Sequence, residues 1–242
     1  LTFNTCGHCG PCHEDHPAYC EQYPLLNFYT RRPDGSATIH DAKGEPLGGA
    51  FFYQSSFATY ALSQARNTIK VRKDAPLELL GPLGCGLSTG SGTVFNVLKP
   101  GPETSVAVFG TGAVGMSALM AAKAMGAGRI VAIDRVERRL ELARELGATD
   151  TIDTSKQDLA KALEELGGVD HAIDTSGVPK LIAAAVAALN ERGTCVLLGA
   201  SKEQELTLNI LPLISGRVIR GVVNGDCDPT LLIPKLVDMY LE

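Results

Sequence analysis

The spacing of apolar positions changes near residue 103. Beyond it, short apolar runs rich in β-branched residues alternate with segments of helical period. Strands are expected at residues 105–109, 129–133, 151–152, 169–173, 194–198 and 218–222, and helices at 114–125, 136–146, 157–166 and 180–189. Gly126 and Gly147 stand where the first two helices should stop. Strands and helices of these lengths in alternation specify an α/β fold, a parallel sheet covered on both faces. Residues 1–73 are different: irregular, rich in Gly, Pro and aromatics, with no helical period. The aromatic content of residues 50–62 predicts one or two strands, and residues 67–71 predict another short one.

Residues 104–122 carry no charge and approach the length of a bilayer span. Gly110, Gly112 and Gly115 fall in their middle, with β-branched residues before and Ala, Met and Leu after. The stretch therefore reads as buried strand, tight turn and helix. Hydrophobic residues make up 45% of the 242 and charged residues 20%, which is globular composition with room for a real core. A net charge of −5 and the lack of any long basic run argue against nucleic acid or acidic membrane as a partner. The chain opens at Leu1 and closes inside an amphipathic pattern at Glu242, so both ends read as cuts.

Gly110-Thr111-Gly112-Ala113-Val114-Gly115 is G-x-G-x-x-G, directly after one expected strand and opening the next helix. The first glycine permits the tight turn, the second lets backbone approach a pyrophosphate, and the third lets helix and strand pack closely. The helix N-terminus offers free N–H groups and partial positive charge to the phosphates. Asp134, ending the next strand, stands where a carboxylate accepts the adenosine ribose hydroxyls. A 2′-phosphate there would be repelled by about 4 kcal/mol per charge pair at about 4 Å and an effective dielectric of about 20, which favours NAD over NADP. Arg135, Arg138 and Arg139 soften that preference. Asp134-x-x-Glu137 also has the form of a helix capping box, and the two readings are compatible.

Four of the seven cysteines, Cys6, Cys9, Cys12 and Cys20, crowd into fifteen residues. Four thiolates complete a tetrahedral Zn²⁺ shell and leave no position for substrate, so the zinc would be structural. A pair of disulfides is the alternative, but the odd total and the scattering of Cys85, Cys195 and Cys227 fit a reducing compartment better. His8, His13 and His16 read as surface residues of the same loop.

Taken together, the cysteine loop, the run Gly84-Cys85-Gly86-Leu87-Ser88-Thr89-Gly90, and the glycine turn with Asp134 resemble the medium-chain zinc-dependent alcohol dehydrogenases over essentially the whole chain. Residues 51–62 look most like the aryl-alcohol (benzyl-alcohol) branch. The resemblance implies a Rossmann doubly wound parallel sheet plus part of a GroES-like β-rich catalytic domain with a zinc lobe. It places the partial catalytic domain at residues 1–84 with the lobe at 1–25, the NAD-binding domain at 85–225, and a helix returning to the catalytic domain at 226–242. It further implies that Cys85 is one ligand of a catalytic zinc and that Thr89 sits against the nicotinamide. By the same resemblance, Gly110, Gly112, Ala113, Val114, Gly115, Asp134 and Arg139 hold the adenosine half of NAD, Thr175 and Ser176 line the riboses, and Leu198, Gly199 and Val223 surround the nicotinamide.

Phe51 matches a substrate-pocket wall, with a packed core aromatic as the alternative. The family's other two catalytic ligands and its proton relay match nothing here, and His40 and His171 do not replace them. Cys85 is therefore either a ligand of an incomplete site or an inert thiol. The expected whole protein is a cytoplasmic homodimer or homotetramer that oxidises an aryl or primary alcohol to the aldehyde with NAD, with residues 206–221 at the subunit contact. The alternatives are a non-catalytic module holding NAD and structural zinc, and a related dehydrogenase of polyols or thiol adducts.

Overall fold

The computed structural model describes residues 1–242 except 33, 55–58 and 204. The chain divides into two compact units, one formed by residues 1–88 with 226–242 and the other by residues 89–225.

The first unit begins with two short helices, α1 (Gly10–His13) and α2 (Tyr23–Phe28), followed by a hairpin of two-residue strands, β1 (Ile39–His40) and β2 (Pro46–Leu47). The strands expected within residues 50–62 do not form at its start: Phe51–Tyr53 is a 3₁₀ turn. Phe52 and Tyr53 have φ of 54° and 55°, in the left-handed region that no strand adopts. Their aromatic character serves ring packing instead, since Phe51 stacks on Phe52 at 4.4 Å and Phe28 meets both. The part of that expectation falling on residues 55–58 lies outside the described residues. The strand expected at 67–71 is also absent. Asn67 closes a 3₁₀ turn, and among the described residues no strand pairs with the residues that follow. The alternation there is real as burial: Ile69 and Val71 pack on the small core of Ala75, Leu83, Ile233 and Val237, the last two from the C-terminal helix.

Residues 86–98, for which the apolar pattern gives no element, are helical: α3 (Gly86–Gly92) runs into a π-helical stretch, Thr93–Leu98, that stops at left-handed Lys99. Then come β3 (Ser105–Phe109), α4 (Ala113–Ala124), β4 (Arg129–Asp134), α5 (Glu137–Leu146), β5 (Asp150–Asp153), α6 (Leu159–Leu166), β6 (Val169–Asp174), α7 (Pro179–Ala187), β7 (Leu189–Leu197), α8 (Leu211–Ile214), β8 (Val218–Gly221) and α9 (Pro229–Leu241). The uncharged stretch 104–122 is strand, turn and helix, and among the described residues no helix is long and apolar enough to cross a membrane.

The six long strands form one parallel sheet in the order β5-β4-β3-β6-β7-β8. Both faces are covered, so β3 is apolar on both sides. Val106 and Val108 pack with Leu119, Ile130 and Leu140, whereas Ala107 and Phe109 pack with Ile133, Leu163, Ala172 and Val186. From β3 the chain works outward to β5, then crosses back to lay β6 on the other side of β3. That reversal leaves a crevice at the carboxyl ends of β3 and β6, where such sheets bind ligands.

A candidate dinucleotide cradle and a four-cysteine metal lobe

At the end of β3 the chain turns sharply at Gly110, whose φ is +92°. A Cβ at Gly110 would lie 2.6 Å from Thr175 Oγ1, and one at Gly115 would lie 1.9 Å from the Gly110 carbonyl oxygen. Both glycines are thus fixed by close approach. Gly112 differs: nothing stands within 4 Å of where its Cβ would be, so its face is open. It is the N-cap of α4 and provides no side-chain cap, which leaves the first N–H groups of Ala113, Val114 and Gly115 without intrahelical acceptors.

Asp134 turns toward this glycine turn. Its Oδ2 accepts from Thr111 N (2.7 Å) and Thr111 Oγ1 (2.9 Å), and its Oδ1 from the N–H groups of Arg135 (2.8 Å) and Val136 (3.0 Å). Burial works to raise this carboxyl, but those donors outweigh it and hold Asp134 below the usual carboxylate range. Arg139 Nη1 stands 3.7 Å from Oδ2. The capping box does not form. Val136 is the N-cap of α5, without a side-chain cap, and Glu137 instead pairs with Lys156 and Arg144.

The second wall follows β6. Thr175 donates its hydroxyl to the carbonyls of Phe109 (3.1 Å) and Gly110 (2.8 Å), so it braces the glycine turn. Ser176 donates to Asp174 Oδ1 at 2.6 Å, and Gly177 N donates to Oδ2 at 2.9 Å. Leu198 N and Gly199 N both donate to the Asp174 carbonyl. A Cβ on Gly199 would lie 2.1 Å from Gly177 N, so the loops after β6 and β7 touch backbone to backbone. Thr89 donates to Asn224 Oδ1 (3.3 Å), next to half-buried Val223. Sequence reasoning missed three of these residues: Thr111, the fully buried Asp174, and Asn224 with its φ of 44°. The Asp-x-Ser-Gly pattern at 174–177 is the one signal that points to Asp174, through the side chain-to-backbone turn such residues form.

In the first unit, the sulfurs of Cys6, Cys9, Cys12 and Cys20 lie within 4.8 Å of one another, and no two are bonded. A tetrahedron with Zn–S bonds of about 2.3 Å has edges of about 3.8 Å, so the four thiols fit a closed zinc shell. A hydrogen bond from the backbone at Glu21 is the main influence that brings the Cys9 thiol down to about 6, whereas burial pushes Cys20 up to about 12 and raises Cys12 as well. His8 Nδ1 faces the Cys6 carbonyl and His16 Nδ1 faces Asp226 Oδ1, so neither points into the shell. Among the described residues this is the one group of three or more potential ligands, and Cys85, exposed, belongs to none. Phe51 is half exposed at 52% and stacked on Phe52, not in a core strand.

Residues 113–240 match the family described as zinc-binding dehydrogenase. The chain is 43% identical over 246 residues to a geraniol dehydrogenase of Castellaniella defragrans, covering 99% of this chain and 66% of that protein. It is 35% identical to a probable alcohol dehydrogenase of a Pseudomonas species, covering 93% and 73%. Among solved structures, the alcohol dehydrogenase zinc-binding domain protein of Burkholderia ambifaria superposes with a TM-score of 0.93 at 48% identity. The benzyl alcohol dehydrogenase of Acinetobacter calcoaceticus superposes with a TM-score of 0.92 at 42% identity, and each match covers 100% of this chain and 66% of the other. The chain thus spans just under two thirds of the geraniol dehydrogenase it matches. An α/β unit with this strand order, preceded by a four-cysteine lobe and matched along nearly its whole length, belongs to the zinc-binding dehydrogenase family.

Proposed function

We propose that the whole protein is a cytoplasmic, NAD-linked alcohol dehydrogenase acting on an aryl or other primary alcohol. The observation that carries this reading is Asp134, a buried carboxylate hydrogen-bonded to the second residue of an open glycine turn at the crossover of a parallel sheet. When bound, NAD⁺ accepts the hydride and a catalytic zinc polarises the alcohol oxygen.

The chain's own residues bind and orient. The N–H groups of Ala113, Val114 and Gly115 receive the pyrophosphate, with open Gly112 giving it room. Asp134 and Arg139 take the adenosine ribose, and the negative Asp134 disfavours a 2′-phosphate. Thr175 and Ser176 shape the ribose wall, while Leu198, Gly199, Val223 and Thr89 surround the nicotinamide. Cys6, Cys9, Cys12 and Cys20 hold a structural zinc. Cys85 is one ligand of a catalytic zinc, and Phe51 is a wall for the substrate ring.

The test is NADH formation by the full-length protein from benzyl alcohol or geraniol. Failure with every primary alcohol, by a protein that binds NAD⁺ and two zinc ions, sinks the reading. For the 242 residues by themselves a second reading is favoured, a module that binds NAD and one zinc without turnover, because the one group of three or more potential ligands among the described residues is Cys6, Cys9, Cys12 and Cys20. Metal analysis separates the two, one zinc per chain against two.

Strand β8 lies at the sheet edge, with its own Val218 exposed and Ile210, Leu211 and Ile214 exposed in the segment before it. Such an edge invites pairing with another chain, which supports a homodimer or homotetramer through residues 206–221. A monomeric mass for the full-length protein by light scattering at micromolar concentration would count against it.

A further inference from the structure

The first thirty residues hold four metal-ligating cysteines and three acids, Glu14, Asp15 and Glu21, but no lysine or arginine. A zinc ion held by four thiolates keeps a net charge of −2, so the lobe concentrates negative charge and supplies none of the cation to offset it. One arginine reaches it from elsewhere. Arg66 donates through Nη1 to the Cys6 carbonyl, and to the Thr5 carbonyl at 3.3 Å. Its guanidinium lies against the bare face of Gly7, where a Cβ would come within 2.6 Å of Arg66 Cζ. Gly7 has φ +74°, so its backbone and its missing side chain both suit this contact.

The long side chain is not aimed by chance. Arg66 sits in the 3₁₀ turn Ala65–Asn67, which is closed by a reciprocal cap between Gln64 and Asn67. That turn is fastened to the strand of chain leading into the lobe: Thr2 N donates to the Asn67 carbonyl (2.9 Å) and Asn4 Nδ2 to Gln64 Oε1 (3.0 Å). Asn67 itself is fully buried and donates to the Phe52 carbonyl.

We propose that Arg66 is a positioning residue for the metal centre: it clamps the turn at Cys6 and Gly7 through two carbonyls and brings the positive charge that the lobe lacks. This rests on the reading of the four cysteines as a zinc site. Groups one shell out from a metal typically change its affinity by about 10–100-fold when removed. The planar fork matters as well as the charge, so lysine is an incomplete substitute.

The test is zinc release from the full chain into excess chelator, followed with a colorimetric zinc indicator, for wild type and Arg66→Lys, Arg66→Gln and Arg66→Ala. Release should be about tenfold or more faster for Gln and Ala, with Lys between them and wild type. High salt screens exposed charges over a few ångströms, so it should speed release from wild type and change the Gln variant little. Should the Ala protein fail to fold, the comparison of Lys with Gln decides. Equal rates for wild type and Gln, or for Lys and Gln, overturn the proposal. A wild-type chain that carries no zinc instead overturns the metal reading beneath it.

Discussion

Replacing Asp134 by asparagine separates the carboxylate's structural work from its proposed work on the ribose. The carboxylate accepts four protein donors, two on each oxygen. Asparagine can keep its one oxygen toward the N–H groups of Arg135 and Val136, because turning the other way would forfeit both. Its NH₂ then faces Thr111 N–H, donor to donor, across a site that spans 2.7 Å in the native protein. The Thr111 hydroxyl can rotate to accept from the amide, so the net loss is one backbone bond to a charged acceptor. That costs about 1.5–3 kcal/mol.

The pH dependence has a definite sign. The folded carboxyl is held below its ordinary range, with its hydrogen-bond donors outweighing burial. It therefore stabilises the fold above the unfolded value of about 3.9, and that contribution fades as pH falls through the folded pKa. Urea unfolding followed by far-UV circular dichroism should show the Asn variant about 2 kcal/mol weaker at pH 7, with the gap closing below about pH 4. In titrations followed by NADH emission, the variant should bind NADH at least about tenfold more weakly, the loss expected when a charged hydrogen-bond acceptor is removed. Equal stability at pH 7, or a gap that persists in acid, would refute the hydrogen-bond argument, and unchanged NADH affinity would refute the ribose role.

Gly115→Ala places a methyl 1.9 Å from the Gly110 carbonyl oxygen, a backbone atom that cannot swing aside. Overpacking of this kind costs about 1–3 kcal/mol, and NADH titration should show at least a tenfold loss of affinity. Thr175→Val removes the hydroxyl shared by the Phe109 and Gly110 carbonyls, so hydrogen exchange at Gly110 and Thr111 should quicken while the urea midpoint moves by only about 1 kcal/mol in free-energy terms. Zinc titration of the metal-free chain at pH 7, by calorimetry in buffers of different ionisation heat, should show net proton release, to which Cys12 and Cys20, both raised, contribute and Cys9, lowered to about 6, adds little.

The α/β unit was legible because its strands are buried on both faces, and Ile130, Val131, Ala132 and Ile133 can be nothing but apolar. Strand β7 shows where that signal stops. It begins at Leu189, before the apolar run at 194, because Leu189 pairs with Val169 ahead of a register shift and the charged Glu191 and Arg192 interrupt the pattern. In the first unit, aromatic residues at 51–53 suggested a strand, but aromatics serve ring stacking as readily as sheet faces, and only the backbone dihedrals distinguish the two uses. The glycine turn and the four cysteines were legible because their chemistry is local in sequence. Arg66 was not, since its partners lie sixty residues away and a lone exposed arginine carries no pattern.

The two proposed sites also differ in what holds them in shape. Backbone packed on backbone makes the floor of the cradle, with Gly115 against Gly110 and Gly199 against Gly177, and Thr175 bolts β6 to the turn after β3. Nothing in that assembly waits for a ligand, so a dinucleotide meets N–H groups already in place and spends little free energy on ordering them. The four thiols are the opposite case. Burial raises the Cys12 and Cys20 thiols, and as thiolates the four would repel one another until a cation neutralised them, so a bound ion would complete the lobe's structure. Since residues 110–199 belong wholly to the second unit and residues 6–20 wholly to the first, stripping the zinc should loosen the lobe and spare the cradle. Exchange rates at residues 6–20 should rise sharply on chelation while NADH affinity stays within about twofold. A loss of NADH binding on chelation would show that the lobe supports the cradle after all.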